Sequence, residues 1–207
     1  MITTKQYKSL DDAYAYFNKK LFGNKLPDCM ITLQRHAKAF GFLHPDKFAD
    51  RETGAPISEL ALNPDKFADR SDMEILATVA HEMCHIQQIM FGDPPRRGYH
   101  DKEFAALMGN IGLQVSSTGE AGGAITGQHM HHYIIDGGKF EITAGAFLLG
   151  EKKLLVNSLP EIKEKKERKK TRIKYTCPEC GVNMWGKKGA NIMCGDCEET
   201  LVPEDED

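Results

Sequence analysis

The residues best suited to chemistry are His81-Glu82-Met83-Cys84-His85, where a glutamate follows the first of two histidines. Residues four apart leave the same face of a helix, so both imidazoles can bind one zinc ion. Zinc lowers the pKa of a bound water toward neutrality. Glu82 lies beside that face without binding the metal, and we predict that it is the catalytic base, activating the zinc-bound water for attack on a peptide carbonyl. The competing interpretation is a pair of surface histidines on an ordinary helix.

A catalytic zinc needs a third protein ligand and one open position. His100 follows His85 by fifteen residues, after a turn containing Gly and Pro that can bring the chain back. We therefore predict His100 as the third ligand, with Glu103, one helical turn further on, as the alternative. Cys84 lies about a hundred degrees around the helix from His85, so we expect a small buried residue rather than a fourth ligand.

Three more histidines, His129, His131 and His132, lie close together in the sequence. Side chains alternate along a strand, so His129 and His131 would share one face. Such a cluster could bind a metal, but we interpret these histidines as the exposed edge of a strand.

Four cysteines form a second metal-binding pattern. The pairs Cys177-Pro178-Glu179-Cys180 and Cys194-Gly195-Asp196-Cys197 are separated by thirteen residues, the spacing of a zinc ribbon in which four thiolates bind one structural ion. We expect Gly181 and Gly195 to form the tight turns and metal binding to supply most of the folding energy. The chain is thus predicted to bind two zinc ions, one catalytic and one structural, in a reducing compartment.

Basic and aromatic residues near the cysteines suggest contact with nucleic acid. Ten of the chain's 27 lysines and arginines lie between residues 152 and 174, where they could displace counterions from phosphates. The ribbon adds an aromatic ring on which a base could stack. The candidate nucleic-acid-binding residues are Trp185, Lys187, Lys188, Lys169, Lys170 and Arg172. Two alternatives stay open: the charged segment is simply solvated, or the ribbon docks on the rest of the protein.

Helices must position the histidines. Ser9 is the expected cap of a first helix and Gly23 its end. Ser71 and Glu74 form a capping box, which predicts the start of the helix that carries His81. The expected helices cover residues 10–22, 71–90 and 101–111.

Alternating apolar residues predict a small sheet before the central helix and a hairpin after the third helix. The turn of that hairpin would be Asp136-Gly137-Gly138. The expected strands cover residues 30–35, 39–43, 57–62, 132–135 and 140–143. The pattern as a whole predicts an α+β fold.

A heptapeptide, Pro-Asp-Lys-Phe-Ala-Asp-Arg, occurs twice, at residues 45–51 and 64–70. Two copies are too few for a solenoid, which needs several repeats to bury a shared core. We expect each copy to be a turn that closes a strand, with Phe48 and Phe67 packed inward.

Composition and patterning exclude several classes of protein. Apolar residues make up 41% and charged residues 28% of the chain, a balance typical of a globular rather than a disordered protein. No apolar run is long enough to span a bilayer, and the first residues lack the apolar stretch of a secretory signal. We expect a cytoplasmic or nucleoid-associated protein with no membrane partner.

With these residues in view, residues 1–115 resemble the SprT-like metalloproteases, a family that includes Spartan. The order and spacing of the matching parts make the resemblance specific. Those parts are Leu21-Phe22-Gly23-Asn24-Lys25-Leu26-Pro27, Glu59-Leu60-Ala61-Leu62-Asn63, residues 76–85, His100-Asp101-Lys102-Glu103-Phe104 and the C-terminal cysteines.

The resemblance implies a zincin-like core, with helices packed on a small sheet around the central HExxH helix, and a C-terminal zinc ribbon. It implies zinc bound by His81, His85 and His100, with Glu82 as the base. For Spartan it further implies DNA-stimulated cleavage of proteins crosslinked to DNA. We accordingly divide the chain into a metalloprotease core (1–115), a Gly-rich β extension (116–150), a basic linker (151–174) and a zinc ribbon with an acidic tail (175–207).

The leading hypothesis is therefore a zinc-dependent endopeptidase that cleaves DNA-associated or DNA-crosslinked proteins, with single-stranded or duplex DNA as a partner. The substrate is expected to extend beside the strand at residues 59–63 and to add to the sheet edge by backbone hydrogen bonds. One alternative is a nucleic-acid-binding or scaffold protein whose protease site is idle. Another is a housekeeping peptidase that is indifferent to DNA.

Overall fold

The computed structural model describes residues 1–150, residue 158 and residues 172–204. The chain divides into two compact units, Met1–Pro160 and Glu161–Asp207, and each has its own apolar core. None of the helices among these residues has both the length and the apolar character needed to cross a membrane. Lys169 and Lys170, two of the candidate nucleic-acid-binding residues, lie outside the described residues.

The first unit combines helices with short strands, and the predicted α+β class is confirmed. Its helices are α1 (Ile2–Leu21), α2 (Asp72–Phe91), α3 (Lys102–Ile111) and α4 (Lys139–Leu149). Its strands are β1 (Met30–Leu33), β2 (Gly41–Ala49), β3 (Pro56–Leu62), β4 (Tyr99–His100), β5 (Leu113–Ser116), β6 (Gly127–Gln128) and β7 (His131–Ile134).

Strand β3 is the central strand of a three-stranded sheet. It pairs in parallel with β1 and antiparallel with β2. The prediction that a substrate adds to the strand at residues 59–63 is therefore wrong, because both edges of β3 already bond to neighbouring strands. The edge strands are β1 and β2, and neither has a second partner strand among the described residues; β1 contacts α1, whereas β2 contacts α2.

Helix α2 is the centre of the core and begins as predicted. The Ser71 hydroxyl accepts from the Glu74 backbone N–H at 3.3 Å, and the Glu74 carboxylate accepts from the Ser71 N–H at 2.8 Å. The helix is buried on most of its surface from Ile75 to Cys84. Gly92 ends it, and Pro94 and Pro95 follow, so the helix cannot continue. A buried helix of this kind holds its side chains in fixed positions.

Helix α1 begins eight residues earlier than predicted, at Ile2 rather than at residue 10. Ser9 therefore lies inside the helix and caps nothing. The buried face consists of Gln6, Leu10, Ala13, Tyr14, Phe17 and Asn18. Because Gln6 is buried, this face extends toward the N-terminus beyond Ser9. Packing of the buried face stabilises the helix more than a cap at Ser9 would.

Replacing Ser71 and Ser9 separately with alanine tests these two helix starts. Ser71→Ala removes a cap and should lower the free energy of unfolding by about 1 kcal/mol. Ser9→Ala should leave stability unchanged or slightly higher, since alanine is the better residue inside a helix. Urea unfolding followed by far-UV circular dichroism measures both. An equal loss for the two variants would mean that α1 starts near residue 10.

The hairpin predicted around Asp136-Gly137-Gly138 is wrong. Residues 140–143 belong to α4, and β7 pairs instead with β5. The Gly137 backbone N–H donates to the Glu141 carboxylate at 2.7 Å, a bond typical of a helix start. Phe140 and Phe147 then pack on Phe17 of α1, with ring centroids 5.6 and 5.9 Å away. The turn residues thus begin a helix that closes the core.

The two copies of the repeated heptapeptide have different structures. Residues 45–49 form the second half of β2, and Phe48 is exposed. The second copy instead forms a short 3-10 helix, Pro64–Lys66, and Phe67 is buried. The prediction of two similar turns with both phenylalanines inward is correct only for Phe67. The structure of each copy is therefore determined by contacts with the segments of the same chain that pack against it, and not by the local sequence.

Candidate metal centres

Three histidines of the first unit come together at one point. One ring nitrogen from each of His81, His85 and His100 lies within 4.8 Å of the others. The Nε2 atoms of His81 and His100 are 3.2 Å apart. Two nitrogen ligands of a tetrahedral zinc ion are separated by about 3.3 Å. The donor set and its spacing therefore fit zinc.

Two elements bring the ligands together. His81 and His85 lie one turn apart on α2, while His100 ends β4 and pairs with Gly127 of β6. The next residue, Asp101, caps α3 by accepting from the Phe104 backbone N–H at 2.8 Å. Gln88, buried on α2, donates to the same Asp101 carboxylate at 3.0 Å. This bond ties the His100 segment to the helix that carries the other two ligands.

Phe104 packs against all three imidazoles. Its ring centroid lies 5.0 Å from that of His81, 4.0 Å from that of His85 and 4.7 Å from that of His100. Phe104 itself is fully buried. Such contacts restrict the rotation of the three rings, so their nitrogens stay in place before any ion binds.

Burial keeps the imidazoles neutral. It lowers the pKa of His85 to about 3, with a smaller contribution from His100. Burial also lowers the pKa of His81 and of His100. An imidazole must be unprotonated to bind a metal. All three rings are therefore ready to act as ligands at neutral pH.

Glu82 is almost completely shielded from the solvent that would favour its charged form. Its side chain is only 4% exposed, and burial raises its pKa to about 8. A dication held by the neighbouring histidines would favour the ionised carboxylate. An acid whose pKa lies near neutrality can both accept and return a proton.

His132 is the residue of this site that the sequence prediction missed. Its ring stacks on His81, with centroids 4.9 Å apart and planes at 28°. It pairs with the buried Val115 across β5 and β7, so it points to the core side of that pair. The buried Nδ1 of His81 has no hydrogen-bond partner among the described residues. Ring packing by His132 and Phe104 therefore orients His81.

The other candidates for this centre lie elsewhere. The Glu103 carboxylate accepts from Gln88 at 2.9 Å and from the Asp93 backbone N–H at 3.1 Å, which commits it to the end of α2. Cys84 is fully buried, as predicted, and burial raises the pKa of its thiol. His129 and His131 are exposed. Only for His132 does the surface interpretation fail.

The second candidate centre is the cysteine cluster of the second unit. One Sγ atom from each of Cys177, Cys180, Cys194 and Cys197 lies within 4.8 Å of the others. The sulfurs of Cys180 and Cys194 are 3.7 Å apart. Ligands of a tetrahedral zinc are about 3.8 Å apart, whereas a disulfide bond measures about 2.0 Å. The cluster therefore fits a zinc ion and not a disulfide.

Two similar turns present these cysteines. The first cysteine of each turn, Cys177 or Cys194, donates its backbone N–H to a carbonyl five residues on, at 2.9 and 2.8 Å. Positive φ angles occur at Gly181 (72°) and Glu198 (57°), the same position in each turn. Gly195 lies in the second turn, as expected, but the residue with the positive φ angle there is Glu198. Backbone N–H groups of Cys197 and Asp196 also lower the pKa of Cys194 to about 7.

A small sheet supports the cysteine cluster. Its strands are β8 (Ile173–Thr176), β9 (Asn183–Gly186) and β10 (Val202–Pro203), with β8 in the middle. Tyr175 and Leu201 are its buried side chains besides two cysteines. Trp185 on β9 is 63% exposed, and Arg172, Lys187 and Lys188 are exposed as well. An exposed indole among cations is available for stacking.

Comparisons with known proteins agree with this geometry. A family model described as the SprT-like family matches residues 10–124, more than half of the chain. The protein described as "Uncharacterized protein in mucB 3'region" of Salmonella typhimurium is 43% identical over 58 residues, which cover 28% of this chain and 78% of that protein. No solved structure gives a significant match. Since the matched segment includes Glu82 and the three clustered histidines, the chain belongs to the SprT-like family.

Proposed function

We propose that this protein is a zinc-dependent endopeptidase that cleaves DNA-associated or DNA-crosslinked proteins. Membership of the SprT-like family supports a metalloprotease type of function. The observation that carries the proposal is the meeting of His81, His85 and His100 at one point, with the buried Glu82 next to His81 in the chain. A protein that only binds nucleic acid has no use for that carboxylate.

The residues of the first unit have distinct roles in this proposal. His81, His85 and His100 would hold the zinc ion, with Phe104 and His132 fixing their rings. When bound there, zinc supplies Lewis acidity, which polarises the scissile carbonyl and makes water easier to deprotonate. Glu82 accepts the proton that the attacking water loses and delivers it to the leaving amine nitrogen.

The free edge of β2 is the place for an extended substrate. Gly41 of β2 approaches α2 so closely that an added Cβ would lie 2.8 Å from the Thr78 side chain. Thr78 is one turn before His81 on the same helix. A peptide that adds to this edge by backbone hydrogen bonds would therefore run beside the helix that carries His81 and His85.

The ribbon supports the DNA part of the proposal. Trp185 offers a flat, exposed ring, and Arg172, Lys187 and Lys188 offer positive charge on the described part of the second unit. Stacking of bases on aromatic rings together with charge neutralisation is how many proteins bind single-stranded DNA. Recruitment to DNA would bring the protease to proteins bound or crosslinked there.

A cleavage assay with and without DNA tests the proposal. The substrates are casein and a protein covalently crosslinked to an oligonucleotide. We expect the zinc-loaded protein to cleave the crosslinked protein and to do so faster than it cleaves casein. Trp185→Ala should weaken binding to a single-stranded oligonucleotide by about five- to a hundredfold, while Val182→Ala, also exposed beside β9, serves as the matched control.

Three other outcomes would contradict parts of the proposal. DNA binding with a steep salt dependence and no cleavage of either substrate would indicate a scaffold with an idle site. Cleavage that DNA does not change would indicate a DNA-independent peptidase. If Trp185→Ala binds the single-stranded oligonucleotide as tightly as Val182→Ala does, the ribbon has no role in DNA recognition.

A further inference from the structure

A cavity of about 400 Å³ lies next to the histidine site. It is lined by residues from the start of α2 and the segment before it, from β7, from the loop after β5, and by Phe40, which directly precedes β2. His132 forms part of its wall, and the same ring stacks on His81 at 4.9 Å. A single imidazole therefore separates this cavity from a candidate zinc ligand. The roles assigned so far leave the cavity itself without a function.

Arg70 gives the cavity its most distinctive chemistry. Its guanidinium carbon lies 4.5 Å from the ring centroid of Phe40, and its Nη2 donates to the Glu74 backbone carbonyl. Its Nη1 is buried and has no hydrogen-bond partner among the described residues. A buried donor on a charged group is costly to leave without a partner. The guanidinium thus lines the cavity with one unpartnered nitrogen, Nη1, which a ligand can reach once a neighbouring side chain shifts.

The charge of Glu74 partly offsets that of Arg70, but neither acidic residue of the cavity is ion-paired with it. Glu74 uses its carboxylate in the capping box with Ser71, at 2.7 Å from the Ser71 hydroxyl. Asp69 is exposed. No ion pair joins Arg70 to a carboxylate within the described part of the chain.

We propose that this cavity is a substrate subsite in which Arg70 binds a carboxylate of the peptide that is being cleaved. This inference rests on the proposed protease function, because the ligand is the substrate of the same site. Guanidinium groups bind carboxylates through paired, charge-assisted hydrogen bonds. The carboxylate can belong to an aspartate or glutamate side chain or to the C-terminus of the peptide.

A carboxylate fits the cavity better than a DNA backbone does. Lys66 and Arg70 are accompanied by Asp69 and Glu74 in the cavity lining, so the four formal charges cancel. A strand of phosphates would meet the two acidic residues and lose the repeated positive charge that it requires. A single carboxylate needs only the free donor on Arg70.

The position of the recognised residue can be estimated. Arg70 directly precedes Ser71, the N-cap of α2, and His81 lies ten residues after that cap, roughly 15 Å along the helix axis. The arginine side chain spans part of that distance. The rest of the distance between the guanidinium and His81 corresponds to about two to four residues of extended peptide, at about 3.3 Å each. The carboxylate should therefore lie two to four residues from the cleaved bond.

The test measures peptide binding without turnover. The probes are fluorescent peptides with one glutamate or one glutamine at successive positions, each with a free or an amidated C-terminus. Binding to the Glu82→Gln protein is followed by fluorescence anisotropy. We expect glutamate at the favoured position, or the free C-terminus, to bind about ten- to a hundredfold more tightly than its neutral counterpart. The peptide series shows which of the two carboxylates is recognised.

Variants of the two heptapeptide arginines supply the matched comparison. Arg70→Met should reduce the preference for the acidic peptide to nearly one, and Arg70→Lys should retain part of it, because lysine keeps the charge but loses the paired geometry. Arg51→Met changes the equivalent arginine of the first copy, which is exposed, and should keep the full preference. Thermal melting verifies that the Arg70 variants remain folded.

The outcomes separate this inference from the proposed function. Tight, Arg70-dependent binding of acidic peptides without any peptide cleavage by the wild-type protein would support the subsite and contradict the protease. Equal binding of acidic and neutral peptides by the wild-type protein would overturn the subsite. A loss of preference in Arg51→Met equal to that in Arg70→Met would overturn it as well. The same holds if inorganic phosphate or an oligonucleotide displaces the fluorescent acidic peptide at a lower concentration than the unlabelled glutamate peptide does.

Discussion

A Glu82→Gln variant is expected to lose peptide cleavage by about a hundred- to ten-thousandfold while it keeps its zinc. Glutamine has nearly the same shape but cannot accept the proton from the attacking water, and general bases contribute rate enhancements of about this size. The three histidines keep their positions because Gln88, Asp101 and Phe104 hold them. Initial rates of cleavage and the zinc content of the purified variant measure the two effects.

The same substitution should not destabilise the fold. Glu82 is 4% exposed, and burial raises its pKa to about 8, so the metal-free protein favours the neutral form that glutamine imitates. The matched control is Glu52→Gln, since Glu52 is an exposed glutamate in the turn between β2 and β3. Cleavage by this control should stay within a fewfold of the wild type. Cleavage retained by Glu82→Gln would remove Glu82 from the mechanism.

The part of the site that could be predicted from sequence is the part set by local geometry. His81 and His85 share a helix face because of the helical repeat, and the capping box at Ser71 defines where that helix begins. His100 follows a turn whose glycine and prolines bring the chain back to α2. Each of these inferences needs only neighbouring residues. The structure brings all three histidines to within 4.8 Å.

The part that could not be predicted depends on contacts distant in the sequence. His132 belongs to the site because β7 pairs with β5 in a register that places His132 opposite Val115. Pairing of β7 with a following strand would have been compatible with the same local pattern. A one-residue change of register would turn His132 to the other face. The prediction for residues 140–143 failed for the same reason.

The repeated heptapeptide isolates the effect of context. Identical residues form a strand in β2 and a 3-10 helix after β3. In the first copy, residues 48 and 49 pair with residues 57 and 56 of β3. In the second, Asn63 accepts from the Asp65 backbone N–H at 3.1 Å and starts a helical turn. The final arginine is exposed as Arg51 but lines the cavity as Arg70.

Replacing Cys177 and Cys194 together with serine is expected to unfold the ribbon and leave the first unit folded. Tyr175 and Leu201 are the main apolar side chains buried there, and modules below about 40 residues usually need metal or disulfides to fold. Of the two zinc ions that we propose for the protein, one should be lost. Trp185 is the chain's only tryptophan, so its fluorescence anisotropy reports on the ribbon alone and should fall.

The first unit provides the internal reference for this experiment. Its core and its histidine cluster lie within residues 1–160, a compact unit separate from the ribbon, so its thermal transition and remaining zinc should persist. Cys29→Ser changes a free cysteine of the first unit and should keep both ions and the Trp185 signal. Retention of an ordered Trp185 after loss of the ribbon zinc would mean that packing, not metal, stabilises that unit. In that case the four thiolates would be available for exchange or redox chemistry instead of a structural role.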